Sequence, residues 1–487
     1  MTKLIGLDFS ENLFAKRLSL GFLVNLLAKA KGLITLPFYT RLLGADGLGV
    51  FSLILVTSNI LLPLMNGNLT TGLGVYTAAL TDKEEIKRNY YSALYSSLFI
   101  AFLSAAILLL IGSKILPENV SKYLWIVVLF AFTNVSRNCT TIFPQMFQKT
   151  KVFALSVFLM DYIGAAISIT LVYLGYGAVG AVAGIGLANA MGAIVLFYII
   201  YKNIGISLSI DLPTVKKFAF YSLPLIPMSF SGWIMDAADK YLIYHFCDTA
   251  EVGIYSVAYS ISSLIMMVSA ALYFTFGFSI LKLWDEDREY FYNFIRIVTK
   301  WTVISLTLLL ASLFIGTHIL VSILAGPGFS AAESVIPILG LGLCAATMNA
   351  IFSSMFGAIK NSKIIMIVLL SAAVLNLVLN ILLIPIFGIT GAAVATAISY
   401  IFSTLFFVCM VRRYFELYLN YVLYIKLGAA GVAVAVLILF VKKMLLVNIF
   451  TAALLATIIA IMYVGLLLML RCVTVDEIKQ IINVLKQ

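Results

Sequence analysis

Apolar runs of about twenty residues or more recur from one end of this chain to the other, and that pattern limits what it can fold into. Fourteen are legible: 18–40, 48–76, 90–112, 123–146, 152–174, 178–201, 218–246, 252–279, 298–324, 332–358, 364–386, 389–411, 422–441 and 445–470. They are continuous rather than alternating, so they read as spanning helices and not as barrel strands. Of 487 residues, 63% are hydrophobic and 11% charged, with mean hydropathy +1.09. Soluble domains carry about 25% charged residues, which excludes an ordinary soluble enzyme. The net charge is +11, but the basic residues sit in short clusters between apolar runs, as topology signals do. No nucleic-acid partner is therefore expected. Five isolated cysteines (Cys139, Cys247, Cys344, Cys409, Cys472) form no CxxC pair, so no disulfide framework or metal site is predicted. No signal peptide is expected, because Asp8, Glu11, Lys16 and Arg17 precede a first apolar run too long for one.

Orientation follows from Lys and Arg. With the N-terminus in the cytoplasm, 22 of the 32 fall in inner segments, such as Lys83, Lys87 and Arg88 or Arg412 and Arg413. Five fall outside (Arg41, Lys114, Lys122, Lys442, Lys443) and five within spans. This predicts both termini in the cytoplasm and an even number of spans. The outer loops are too short to build an extracellular catalytic site. The tail places Ile478, Ile481, Ile482 and Leu485 on one helical stripe, which fits either an amphipathic helix on the inner membrane surface or a solvated helical end.

Two motifs repeat. Leu48-Gly49-Val50-Phe51-Ser52-Leu53 is echoed by Val252-Gly253-Ile254-Tyr255-Ser256-Val257, and Gly177-Ala178-Val179-Gly180 by Gly388-Ile389-Thr390-Gly391. Lys149 and Lys360 stand at a similar offset. The repeat covers six spans, an even number, so the halves should be related by an axis along the membrane normal. The expected fold is all-α. It comprises a six-helix lobe at 1–212, a second at 213–415, two added helices at 416–470 and an amphipathic cytoplasmic tail at 471–487. Two similar lobes can rock, which favours a transporter over an enzyme. Seven prolines fall within spans; Pro224 and Pro227 are the hinge candidates, with ordinary kinks as the plainer reading.

Ionisable groups inside spans are costly and persist when they face water, a partner or a ligand. Lys29 lies about 16 Å into the first span, and Arg137 and Asp161 lie at comparable depth. These cations are the leading candidates to line a cavity; alternatively, Asp161 pairs with Arg137 to hold the bundle. Lys31 is about 200° round the helix from Lys29, so pairing or snorkelling suits it better than ligand contact. Asp236, Asp239 and Lys240 share a face, as a structural pair or a working cluster. Lys426 is expected to snorkel to the inner headgroups. His245 and His318 read as interfacial structure rather than proton carriers. Asp285-Glu286-Asp287 reads as a solvated turn, and no phosphate-loop motif is present. Cations slightly outnumber acids within the spans, which suits a phosphate or pyrophosphate.

Three stretches resemble the polysaccharide-export flippases. The first is Asn25-Leu26-Leu27-Ala28-Lys29, continuing through Leu36-Pro37-Phe38-Tyr39-Thr40-Arg41-Leu42-Leu43-Gly44 and Gly47-Leu48-Gly49-Val50-Phe51-Ser52. The others are Asp239-Lys240 with the second repeat copy, and Gly388-Ile389-Thr390-Gly391-Ala392-Ala393. The family is that of the Wzx-type O-antigen and teichuronic-acid translocases of the multidrug/oligosaccharidyl-lipid/polysaccharide (MOP) superfamily. Lysine rather than arginine at position 29 keeps the charge but loses bidentate phosphate binding.

The resemblance implies a flippase that moves an undecaprenyl-pyrophosphate-linked oligosaccharide, for O-antigen, capsule or a similar polymer, between leaflets of the bacterial cytoplasmic membrane by alternating access. It implies that Lys29 and Arg137 hold the head group, with Lys31 nearby and Lys240 and Arg41 on the exit side. Asp161, Asp236 or Asp239 would couple to protons or sodium, or gate. The lipid tail would lie against spans thirteen and fourteen. Membrane lipids, a polysaccharide polymerase and glycosyltransferases are the implied partners, and no cofactor is expected. The competing readings are a lipid II flippase, a multidrug or cation antiporter, a membrane enzyme of polysaccharide assembly, and a scaffold for glycosyltransferases.

Overall fold

The computed structural model describes residues 12–78, 80–115, 121–147, 150–267, 283–284, 287–415, 417, 421–444 and 449–473. The side chains of 12–30 and of scattered other helical positions lie outside that description, so Lys29 is placed only as a backbone position. Residues 268–279 of the eighth expected span, Asp285, Glu286 and the tail from 474 also lie outside it.

Among the described residues every regular element is helical. In chain order these are α1 (Asn12–Met65), α2 (Leu69–Thr77), α3 (Lys83–Ile115), α4 (Leu124–Met146), α5 (Thr150–Leu171) and α6 (Gly177–Ile204). They continue with α7 (Leu212–Ser222), α8 (Ile226–Phe246), α9 (Thr249–Ser262), α10 (Arg288–Leu324), α11 (Ala332–Ala358), α12 (Ser362–Tyr414), α13 (Tyr421–Met444) and α14 (Ile449–Met469). Helix occupies part or all of each expected apolar run. Among the described residues, seven helical stretches are long and apolar enough to cross a membrane, or eight if the bent pair Leu212–Leu225 and Ser229–Phe246 is one crossing.

Three of the long runs turn sharply at glycine. Gly44 (φ 65°) interrupts α1 and Gly388 (φ 57°) interrupts α12, while Gly175 (φ 91°) and Gly177 (φ 54°) sit where a single π-helical turn joins α5 to α6. Side chains with a Cβ rarely adopt these dihedrals. Helix α6 then folds back along α5. Gly192 packs on Met160, Gly164 on Ala188 and Gly184 on the backbone of Ser168, so contact numbers run in opposite directions.

The chain divides into two compact units, Leu23–Val257 with Ala373–Ala392, and Met1–Phe22 with Ala258–Ala372 and Ala393–Gln487. The first is centred on Tyr90, Tyr91, Phe143 and Phe218. In the second, Phe291, Phe352, Phe356 and Phe407 form one core, and α10 packs on α13 and α14 through Ile304, Leu427, Ile459 and Tyr463 to form another. Asp287 caps α10 by accepting the Tyr290 N–H at 2.9 Å. Lys426 donates to the Leu470 carbonyl at 3.2 Å, an acceptor just beyond the end of α14.

Within the first unit the repeated motif packs against its own copy. An added Cβ on Gly49 would meet the Thr249 carbonyl oxygen at 1.9 Å, and one on Gly253 would meet that of Ala45 at 2.1 Å. Ser256 Oγ donates to Ser52 Oγ at 2.8 Å. Each residue is met by the copy of its partner, 204 positions away, which is the signature of an isologous contact about a local two-fold axis. Backbones approach this closely only where side chains are small.

Candidate functional site

Three helices of the first unit meet at one carboxylate, and a fourth joins them through a guanidinium. Asp161, on α5, is 8% exposed. Its Oδ1 accepts from Lys31 Nζ on α1 at 3.1 Å and from Arg137 Nη1 on α4 at 3.0 Å. Arg137 Nη1 also donates to Asn189 Oδ1 on α6 at 3.0 Å, and Asn189 Nδ2 donates to Asn134 Oδ1, one turn before Arg137, at 3.0 Å. The close glycine packing of α5 on α6 brings Asp161 and Asn189 to the same guanidinium. Tyr39 O–H and Ser168 Oγ, 2.7 Å apart, tie α1 to the hairpin, and Ser168 donates onward to the Ala181 carbonyl.

One carboxylate faces two cations, so the cluster carries an excess positive charge in a poorly hydrated place. Desolvating an unbalanced charge is costly, and an incoming anion would lower that cost. Arg137 has five N–H donors; among the described residues only Nη1 is engaged.

Arg137 also lines a cavity of about 450 Å³, within the usual range for a small-molecule site. Its walls are Asn66, Asn68, Thr70 and Thr71 on one side, and Asn138, Thr141 and Gln145 on the other, with Leu62, Phe153 and Val157 as apolar surface. The expected continuous span 48–76 is broken here. Gly67 (φ 57°) and Asn68 (φ 53°) are left-handed, and Asn66 Oδ1 accepts the Asn68 N–H at 2.6 Å. This local bond competes with the helical ladder, and α2 restarts with its positive end beside the cavity. A different face of α5, with Leu155, Leu159 and Ile163, lines an apolar groove of about 290 Å³ against α6.

The other candidates lie elsewhere. Asp239, 1% exposed, accepts from Tyr255 O–H at 2.5 Å and from the Lys240 N–H at 2.8 Å, fastening α8 to α9. Asp236 and Arg41 are exposed and Lys240 is half-buried; none of the three lines the cavity. Pro224 and Pro227 stand at the 47° bend between α7 and α8. His318 Nδ1 lies 2.9 Å from Glu333. Among the described residues no three His, Cys, Asp or Glu side chains gather as a metal site would require. Sequence reasoning passed over Asn134, Asn138, Gln145 and Asn189. The available signal was an amide recurring in otherwise apolar helices.

Comparison with known proteins places this geometry. Residues 14–276 match the model of a family described as polysaccharide biosynthesis protein, and residues 284–466 match that of the lipid II flippase MurJ. Agl15 of Haloferax volcanii, described as a probable low-salt glycan biosynthesis flippase, is 28% identical over 206 residues, 41% of this chain and 43% of that protein. An uncharacterized membrane protein of Methanocaldococcus jannaschii is 25% identical over 251 residues, 49% of this chain and 48% of its own length. The chain thus spans less than half the length of each of these relatives. Among solved structures, the lipid II flippase MurJ in an inward closed conformation superposes with a TM-score of 0.75 at 14% identity, covering 93% of this chain and 98% of that one. An outward-facing multidrug resistance MATE family transporter of the MOP superfamily gives 0.60 at 17% identity, covering 82% and 94%. At these identities the likeness is one of fold.

Proposed function

The chain belongs to the polysaccharide biosynthesis protein family, and from that premise we propose that it is a flippase carrying a lipid-linked saccharide from the inner to the outer leaflet by alternating access. The resemblance to the polysaccharide-export flippases of the MOP superfamily, read from the sequence, holds. The observation that carries the functional reading is Arg137, held at one edge by Asp161 and Asn189 while lining a polar cavity inside an apolar helical unit. A saccharide cannot cross hydrocarbon with its phosphates bare. A fixed guanidinium, able to bind phosphate bidentately, replaces their water. Lys31 keeps part of the Asp161 charge when Arg137 turns to a ligand.

The fourteen-span topology is part of the same proposal. It is supported by the glycine turns at 44, 175–177 and 388. A 53-residue helix such as α12 would be about 80 Å long, far beyond a bilayer core of about 30 Å, unless it folds back at Gly388. The Lys and Arg distribution supports a cytoplasmic-membrane protein with both termini inside. The finer substrate we favour is an undecaprenyl-pyrophosphate-linked repeat unit. A second reading, lipid II, is favoured by the match of residues 284–466 to the MurJ model. Cation antiport is disfavoured, since no carboxylate lines the cavity among the described residues.

The test is translocation by the purified chain in proteoliposomes, followed as protection of a fluorescent polyprenyl-pyrophosphoryl saccharide from an impermeant quencher. Translocation above that of empty vesicles, lost in Arg137→Gln, is expected. Wild-type vesicles indistinguishable from empty ones, or an Arg137→Gln variant as fast as its parent, would sink the proposal. Running lipid II in parallel separates the two substrate readings.

A further inference from the structure

We propose that the cavity beside Arg137 is a directional reading site, taking the charged phosphoryl end of its ligand at Arg137 and an uncharged sugar ring toward Gln145. The inference rests on the flippase reading and adds the class of sugar and the way round that it binds.

The lining carries the argument. Arg137, Asn138, Thr141 and Gln145 follow one another on a single face of α4, near i, i+4 and i+8. The eight steps from Arg137 to Gln145 rise about 12 Å along the axis. Among the described residues Arg137, at the first end, is the one charged side chain lining the cavity, so within that lining a second ionic group on a ligand meets no counter-ion. At the Gln145 end the described lining offers a uronic-acid carboxylate no cation and a free amino sugar no acid.

The amides supply what a neutral sugar needs. Asn138 is half-buried and Gln145 exposed, and neither side-chain amide makes a hydrogen bond among the described residues. Each offers two donors and an acceptor, which pairs with hydroxyl or acetamido groups that both give and take. On the opposite wall, Asn68 Oδ1 is already taken by the Thr71 hydroxyl at 3.0 Å, leaving the Asn68 amide N–H groups. Phe153 provides an apolar face for the C–H side of a sugar ring.

The experiment measures equilibrium binding to the full chain in detergent. The probes are geranyl pyrophosphate and geranyl-pyrophosphoryl derivatives carrying a neutral hexose, an N-acetylhexosamine or a uronic acid. For wild type, at least one neutral-sugar probe should bind about tenfold tighter than bare geranyl pyrophosphate, and the uronic acid no tighter than it. Gln145→Leu and Asn138→Leu should each bring that ratio toward one, with thermal unfolding measured alongside to report that the variants are folded. Arg137→Gln should weaken all probes about tenfold. A wild-type ratio near one, a uronic-acid preference, or a ratio that survives both amide substitutions would overturn the inference and leave the flippase reading standing. Failure of wild type to bind any probe would overturn both.

Discussion

The crossing of the two repeat copies gives the sharpest prediction. A methyl group on Gly49 would stand 1.9 Å from the Thr249 oxygen, and one on Gly253 would stand 2.1 Å from that of Ala45. Ordinary contact begins near 3.4 Å, so either alanine must push the helices apart by roughly 1.3–1.5 Å. Overpacking of this kind costs about 1–3 kcal/mol. The Ser52–Ser256 bond, one turn further on at 2.8 Å, would then be stretched beyond hydrogen-bonding range. The local two-fold adds a stronger demand. A single separation relieves both clashes, so Gly49→Ala and Gly253→Ala should cost similar amounts, and the double variant little more than either alone rather than their sum. The assay is oxidative crosslinking of Ser52→Cys with Ser256→Cys, in a background lacking the five native cysteines. Remaining thiols are counted by the mass shift with maleimide-polyethylene glycol, and thermal unfolding is measured alongside. The parent pair should crosslink readily, since the serine oxygens already touch, and each alanine should slow the reaction several-fold. Crosslinking as fast in Gly49→Ala as in the parent, or stability losses that add, would refute the isologous crossing.

Three further outcomes are expected. Asp161→Asn removes the shared counter-charge of Lys31 and Arg137, and each uncompensated charge costs about 2.5–3.5 kcal/mol on insertion scales; the unfolding temperature should fall clearly and recover in part on adding Lys31→Met, and an unchanged temperature would contradict the shared bridge. Lys426→Met loses the bond to the Leu470 carbonyl and should cost about 1 kcal/mol, read as a small drop in unfolding temperature that Lys426→Arg largely avoids. Pro227→Ala should slow translocation while leaving stability within about 0.5 kcal/mol, if the 47° bend at α7–α8 works as a hinge; unchanged translocation would make it an ordinary kink.

The sequence showed much of this fold and less of the site, for reasons that differ residue by residue. Helix positions were legible because hydrocarbon demands long apolar runs, and the turns at Gly44 and Gly388 because only glycine sits easily at their dihedrals. The break at 66–68 was not anticipated. Asn66 and Asn68 were visible as polar dilution, but nothing in the spacing says that the Asn66 side chain captures the Asn68 N–H. That Arg137 and Asp161 are shielded could be expected from their depth in the fourth and fifth apolar runs. That Lys31 and Arg137 would share a single oxygen could not, because no periodicity links residues on three separate helices.

The contrast between the repeat and the amide ladder explains which features a lone sequence displays. At the Gly49–Gly253 crossing, backbone meets backbone, so the constraint falls on residue size and recurs at a fixed offset of 204 in both copies. At the cavity, Asn138 and Gln145 answer to whatever occupies the space, not to a neighbouring helix. An uncharged amide in a span costs far less than a charge, so it stands out less against the apolar background. It follows that specificity in a chain of this kind is to be sought among unpartnered amides facing a cavity, with the ionised groups serving to hold what every such ligand shares. Exchanging Asn138 and Gln145 should therefore change which sugar binds, whereas exchanging Arg137 should change whether any does.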